Sequence, residues 1–255
     1  MSKWKNRREE INMNIGITWA RGKGSSFKGK NKYPIKGKPL IWYPLMSLKA
    51  SRTVHYHYVF TEDDEIAEIT LGVGWRVIPR PNKFISYKSK AYNNQEAWKY
   101  ITRYIAEDLD RSIPEFTGDW ITSFHLLSEY AFSLNCNNCM LRSDTFRLMY
   151  KRVQSNKIPS VYPATKVDEH LMLGHPDGYL FPLWHAQGLN RQYYPPLYRA
   201  LLNTSFTNAR ASILGRPNYY YCEIDPIEAT DVHDKRDIEL IEAYLDCHPE
   251  YFEFT

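Results

Sequence analysis

No stretch of this sequence approaches the ~20 apolar residues that a membrane span needs, and the mean hydropathy of -0.54 agrees. A membrane partner is therefore not expected. The charged start, Met1-Ser-Lys-Trp-Lys-Asn-Arg-Arg-Glu-Glu10, has no apolar segment behind it, so a secretory signal is not expected either. Cysteine is scarce. Its four copies follow no framework spacing, which argues against a disulfide scaffold and for a reducing, cytoplasmic setting. Internal repeats and low-complexity tracts are lacking. Net charge is only +4, which permits an anionic ligand without demanding nucleic acid. What the chain does have is apolar residues, 43% of 255 positions, enough for one large α/β domain or a domain with a small appendage.

One absence is local and more informative. Between Ala20 and Ile41 there is no Asp or Glu, against seven Lys or Arg. The stretch reads Ala20-Arg-Gly-Lys-Gly-Ser-Ser-Phe-Lys-Gly-Lys-Asn31, continued by Gly37-Lys-Pro-Leu-Ile41. It follows a strand candidate, Ile15-Gly-Ile-Thr-Trp19, and runs into a helix candidate near Pro39. Glycine lets backbone amides approach a ligand closely, and successive amides in a turn make a nest for anions that fixed cations deepen. Strand, basic glycine-rich loop and helix is how an α/β sheet holds phosphates at the carboxyl ends of its strands. A solvated lysine-rich loop has the same composition.

The rest of the chain alternates strand and helix patterns. Leu40 to Leu48 reads as a helix that Pro44 kinks or delays, and Val54 to Phe60 as a second strand, with His55 and His57 on one side of it. Thr61 is expected to cap a helix whose first turn, Glu62-Asp-Asp-Glu65, suits the helix dipole. Leu71 to Ile78 reads as a third strand, Gln95 to Leu109 as a helix, Tyr130 to Leu134 as a buried strand and Ser143 to Gln154 as a helix. Ile158 to Tyr162 and Tyr219 to Ile224 read as strands, and Asp237 to Leu245 as the closing helix. Alternation of this kind predicts right-handed crossovers and a mainly parallel, doubly wound sheet. Residues 1–13 read as an extension. The irregular, aromatic stretch from Pro163 to Pro196 reads as a lid or interface element.

Two clusters carry possible metal chemistry. Cys136 and Cys139 form a Cys-x-x-Cys pair, but Cys222 and Cys247 stand alone, so a zinc set is incomplete; the pair reads better as small polar residues lining a cleft. From Glu223 to Glu253 there are eleven acids against Lys235 and Arg236, and Glu228-Ala-Thr-Asp-Val-His-Asp234 falls between a strand and a helix. A basic loop early and an acidic loop late suit a complex of a divalent cation with a triphosphate, with 228–234 the best place for the cation; the acids read equally well as surface solubilisers.

These residues resemble, in order, the acylneuraminate (CMP-sialic acid) cytidylyltransferases. The loop is similar to that family's A-R-G-G-S-K-G-x-x-x-K-N followed by G-K-P-L-I. Val59 to Ala67 resembles V-S-T-D-D-E-E-I-A, Arg80-Pro81 falls at its R-P pair, and Asn137 to Arg142 at P-T-S-P-L-R. Arg191-Gln-Tyr-Tyr-Pro-Pro-Leu-Tyr-Arg199 resembles R-Q-x-x-P-x-x-Y-R, and Asp231 to Asp237 resembles D-I-D-x-x-x-D. The resemblance spans about Asn14 to Leu245. It implies a Rossmann-like nucleotidyltransferase fold over 14–255, with 163–196 as an excursion used in a homodimer. It also implies transfer of CMP from CTP to a nonulosonic (sialic-acid-like) 2-keto sugar acid.

By the same resemblance Ala20, Arg21, Gly22, Lys23, Gly24, Lys30, Asn31, Arg80 and Asn137 would contact the nucleotide. Arg21, Lys30 and Asp231 would carry the chemistry. Arg142, Gln192, Tyr198 and Arg199 would handle the sugar acid, and Asp231 would hold Mg²⁺. The chain departs from the pattern in three places. Lys23, Ser25 and Ser26 replace Gly, Lys and Gly, and Asn-Asn-Cys-Met replaces Pro-Thr-Ser-Pro. His233 replaces the second metal aspartate; imidazole is a poor magnesium ligand, and Asp234 or Asp225 would have to compensate. The rival readings are a nucleotidyltransferase with another base or acceptor and a non-catalytic CTP-binding protein. Nucleic-acid binding fits least, because the cations concentrate in one loop rather than along a stripe.

Overall fold

The computed structural model describes residues 13–23, 27–85, 94–111, 127–155, 158–167, 172–174, 176–178, 180–182, 196–208, 220–252 and 254. Its centre is β1 (Asn14–Trp19), flanked by β4 (Tyr56–Thr61) and β6 (Tyr130–Leu134), both parallel to it. β5 (Arg76–Pro79) pairs parallel to β4 at one edge. Beyond β6 come β11 (Ser205–Asn208), antiparallel to β6, then β7 (Ser160–Val167), with β10 (Leu197–Ala200) antiparallel and β12 (Tyr220–Glu223) parallel to it. The first strand thus lies mid-sheet, and the chain winds to one side of it and then the other. The doubly wound, mainly parallel α/β architecture is as the sequence pattern implied.

Both sheet faces are covered, which is why the central strands read as apolar runs. Ile15, Ile17, Tyr58, Phe60 and Ile78 pack under α3 (Asn94–Asp108), whose Ala97, Ile101 and Ile105 recur at helical spacing. Val59, Phe132 and Leu134 point the other way, onto α1 (Trp42–Ser51), α2 (Asp64–Val73) and α4 (Ser143–Val153). A third cluster seats α5 (Lys235–Cys247), through Ile238 and Ile241, together with Val232 just before it, on Ile35, Leu40 and Met140.

Several local expectations need correcting. Leu71 to Val73 ends α2 rather than opening a strand; Gly74, at φ 89, closes the helix in a left-handed turn. The cap of α2 is Asp63, which accepts from Ile66 N, while Thr61 Oγ1 accepts from Asp63 N. Pro44 lies in the first turn of α1, where its missing N–H costs nothing. Before it, β2 (Pro34–Ile35) and β3 (Lys38–Pro39) form a hairpin turning through Lys36 (φ 47) and Gly37 (φ 78), the positive pair that a tight two-residue turn requires. The 163–196 excursion does not begin at Pro163: β7 runs on to Val167. Within it, β8 (Met172–Gly174) and β9 (Leu180–Pro182) pair antiparallel. Residues 1–12, Gly24 and Gln192 lie outside the described residues. No described helix is long and apolar enough to cross a membrane.

Candidate active site

β1 and β6 are neighbours, and the chain leaves them toward opposite halves of the sheet. A crevice is expected at the carboxyl ends of such a pair, and the basic loop leaves β1 there while 135–142 leaves β6. Asn31, 4% exposed, stitches the two together. Its Nδ2 donates to Arg21 O at 3.0 Å, and its Oδ1 accepts from Cys136 Sγ at 3.1 Å. Lys30 is 2% exposed, and its Nζ donates to Val232 O at 2.9 Å. Burial pulls the Lys30 pKa below its ordinary value, against the opposing pull of Cys136, Asp231 and Asp237.

The predicted functional residues converge on the segment from Glu228 to Val232. Asn137 O accepts from Val232 N at 3.1 Å. Arg199 Nη2 donates to Ala229 O at 3.2 Å. Arg142 places Nε and Nη2 on Glu228 Oε1, each at 2.9 Å, and its backbone N on Oε2 at 3.2 Å. Glu228, 1% exposed, also accepts from Thr145 Oγ1. The loop after β1, the loop after β6, the start of α4 and β10 therefore all grip one short segment, and that segment carries Asp231.

The remaining residues are placed as follows. Ala20 is buried and continues the sheet ladder through its N–H to Phe60 O at 3.1 Å. Arg21 is half-buried, its Nη1 donating to Ile85 O at 3.4 Å, and Lys23 is exposed. Tyr198 stacks on Tyr221 with ring centroids 4.3 Å apart and donates to Glu223 Oε2 at 3.2 Å. Two residues stand differently from expectation. Gly22 N donates to Glu62 Oε1 at 3.1 Å, so this amide already holds a carboxylate. The Arg80 side chain is 0% exposed and faces Glu62 and Phe84 rather than the crevice.

The cysteines are not cleft-lining. Cys139 is 1% exposed within the α5 cluster and Cys136 is 5% exposed. Burial pushes their thiols up, to about 12 and about 11, so neither is a ready thiolate for redox or zinc chemistry. Of the Asn-Asn-Cys-Met departure only Asn137 is half-buried; the other three are interior.

Among the described residues no group of three or more His, Cys, Asp or Glu is placed to hold a metal. Asp234 caps α5, accepting from Arg236 N at 2.8 Å, and Asp225 Oδ1 accepts from Ile227 N at 2.9 Å. His233 is exposed, with Nδ1 2.8 Å from Asp231 O. Asp231 differs: its Oδ1 is buried and has no hydrogen-bond partner. One orphaned carboxylate oxygen fits a magnesium ion that takes its other ligands from phosphate and water.

Sequence reasoning gave Glu62 and Lys32 no place at the site, and Glu228 a place only within the acidic 228–234 segment rather than as the partner of Arg142. Lys32 bridges Asp63 Oδ2 (3.1 Å) and Glu65 Oε2 (2.9 Å), and the hydrogen bonds it donates to the two carboxylates raise its pKa. The signal available was the pairing of one all-basic loop with one acidic turn, Glu62 to Glu65.

Comparison with curated proteins finds no match. Among solved structures the chain is similar to 4-diphosphocytidyl-2C-methyl-D-erythritol synthase from Anaerococcus prevotii DSM 20548, at TM-score 0.58 and 13% identity over 92% of this chain and 99% of that one. It is similar as well to CMP:2-keto-3-deoxy-manno-octonic acid synthetase complexed with CTP, at TM-score 0.60 and 10% identity, with the same 92% and 99% covered. At those identities the likeness is one of fold. A family model described as Cytidylyltransferase matches residues 15–106, the stretch from β1 into α3 that holds the basic loop, the acidic turn and Arg80, and it is in this stretch that the chain carries a cytidylyltransferase pattern.

Proposed function

We propose that the chain transfers CMP from CTP to the anomeric hydroxyl of a nonulosonic 2-keto sugar acid, with release of pyrophosphate. The observation that carries this reading is the convergence on residues 228–232. Lys30, Asn137, Arg142 and Arg199 reach this segment from four parts of the chain, and it presents a carboxylate oxygen without a partner. Nucleotidyl transfer asks the protein mainly to position groups and neutralise charge, and this arrangement supplies both.

Arg21 would grip triphosphate oxygens with its fork and steady the charge as pyrophosphate leaves. Lys30, drawn toward Asp231 in its low-dielectric surroundings, would exchange the Val232 carbonyl for a phosphate oxygen. Asn31 would keep the loop registered against β6. Asp231 would hold Mg²⁺, which when bound lowers the pKa of the attacking hydroxyl and polarises the α-phosphate. Arg142, Gln192, Tyr198 and Arg199 would receive the sugar acid. A homodimer built on the excursion that follows β7 and a cytoplasmic setting complete the proposal, with no role for nucleic acid.

A second reading, the same transfer to an acceptor without a carboxylate, is favoured by Arg142, whose Nε and Nη2 are already committed to Glu228. The test is pyrophosphate release from CTP with sialic, legionaminic and pseudaminic acids and with polyol phosphates, with and without magnesium. Turnover with the sugar acids alone is expected. Turnover with polyol phosphates alone selects the second reading, and CTP binding without turnover on any acceptor removes both.

A further inference from the structure

The Arg80 side chain is a fully buried cation. Its guanidinium is enclosed between the Trp19 ring, 5.4 Å away, and the Phe60 ring, 5.2 Å away, and its side chain is 0% exposed. A charge so placed must be held by fixed partners. Nε donates to Phe84 O at 2.9 Å, Nη2 donates to the same oxygen, and Nη1 lies 3.9 Å from Glu62 Oε2, an ion pair with no hydrogen bond at either atom among the described residues.

Both Glu62 and Phe84 lead to Arg21. Glu62 uses its other oxygen to accept from Gly22 N at 3.1 Å, which fixes the backbone directly after Arg21. Phe84 precedes Ile85, whose carbonyl accepts from Arg21 Nη1 at 3.4 Å and so steers the side chain. The loop is pressed close here: a Cβ on Gly22 would stand 2.0 Å from Asp63 Oδ2. We infer that Arg80 is the positioning residue for Arg21, aligning its backbone through Glu62 and its guanidinium through the 84–85 carbonyls. This goes beyond the nucleotide contact that the resemblance implied for Arg80, and it rests on the proposed role of Arg21 at the triphosphate.

Geometry of this kind matters to rate, since displacing a charge-stabilising group by about 1 Å costs roughly 10²-fold. Arg80→Lys, too short and too narrow to bind Phe84 O and Glu62 together, and Glu62→Gln, which keeps the shape, are each expected to lower kcat/KM for CTP about 10²-fold. The double variant is expected to lower it little further, because the two act as one unit. A readout independent of activity is the Gly22 amide in a ¹H–¹⁵N spectrum of the ligand-free protein. It should move in both single variants, although Arg80 does not touch Gly22. A Gly22 resonance that stays in place in Arg80→Lys, or losses that simply multiply in the double variant, would overturn the inference. A wild-type protein that releases no pyrophosphate while Gly22 still moves in Arg80→Lys would instead remove the enzyme reading and leave the alignment standing.

Discussion

Lys30 Nζ and Val232 O lie 2.9 Å apart although 202 positions separate the two residues in the chain. This contact joins the basic loop after the first strand to the acidic segment before the last helix. Oppositely charged stretches from the two ends of the sequence therefore form one wall-to-wall arrangement at the carboxyl ends of β1 and β6. Lys30→Met removes both the cation and the donor to a buried carbonyl. We expect a loss of stability of about 1–3 kcal/mol for the unsatisfied carbonyl, read as a lowered Tm. Turnover of CTP should fall by roughly 10²–10³. Stability lost with full turnover kept would reduce Lys30 to a brace.

Arg21 is the test of the chemistry itself. It is half-buried on the loop after β1 and belongs to none of the three apolar clusters, so removing it should disturb little of the fold. Arg21→Ala is expected to lower turnover by about 10²–10³, the usual effect of deleting one transition-state electrostatic contact, with Tm within a few degrees of wild type. Unchanged pyrophosphate release in that variant would take Arg21 out of the mechanism.

Asp231 also separates function from stability. A buried carboxylate oxygen without a partner is a cost to the folded state that offsets the attraction of Asp231 for Lys30, so Asp231→Asn should keep a Tm close to that of the parent. It is expected to lose magnesium-dependent turnover. Magnesium dependence that survives the substitution would point to another ligand set. A large fall in Tm would show that Asp231 is structural.

Much of this site was legible in the sequence, and the missing parts have physical reasons. Lys30, Asn31 and Asp231 could be picked out because local charge runs and motif order are written along the chain. β6 and α3 were readable from their own periodicity and turn-forming borders. Leu71-Gly-Val-Gly74 was misread because a short apolar run looks alike in helix and strand, and only the left-handed turn at Gly74 decides. Glu62 escaped because helix-dipole logic already accounted for an acid at that position. Arg80 was placed at the nucleotide by resemblance alone, and its enclosure by Trp19 and Phe60 was not legible because those rings come from neighbouring strands whose pairing no local pattern reveals.

The last prediction concerns pH. His57 is buried at the centre of the sheet, directly opposite Gly16 in the β1–β4 register, with Nε2 2.9 Å from Thr18 Oγ1 and Nδ1 unpartnered. Burial holds its pKa down to about 3, against 6.5 for a free imidazole. The native state therefore refuses a proton that the unfolded chain accepts, so unfolding takes up protons between these values. Stability is whole above about pH 6.5 and falls as pH drops toward 3, by something on the order of 4 kcal/mol from this one group. Replacing His57 with Leu should flatten ΔG of unfolding across that window in urea titrations at stepped pH. The ring also explains Gly16: a Cβ there would stand 2.2 Å from His57 Nδ1. Gly16→Ala should then cost about 1–3 kcal/mol by overpacking, and most of that loss should disappear when His57 is changed to Ala in the same chain. If the two losses merely add, the imidazole is not what keeps position 16 small.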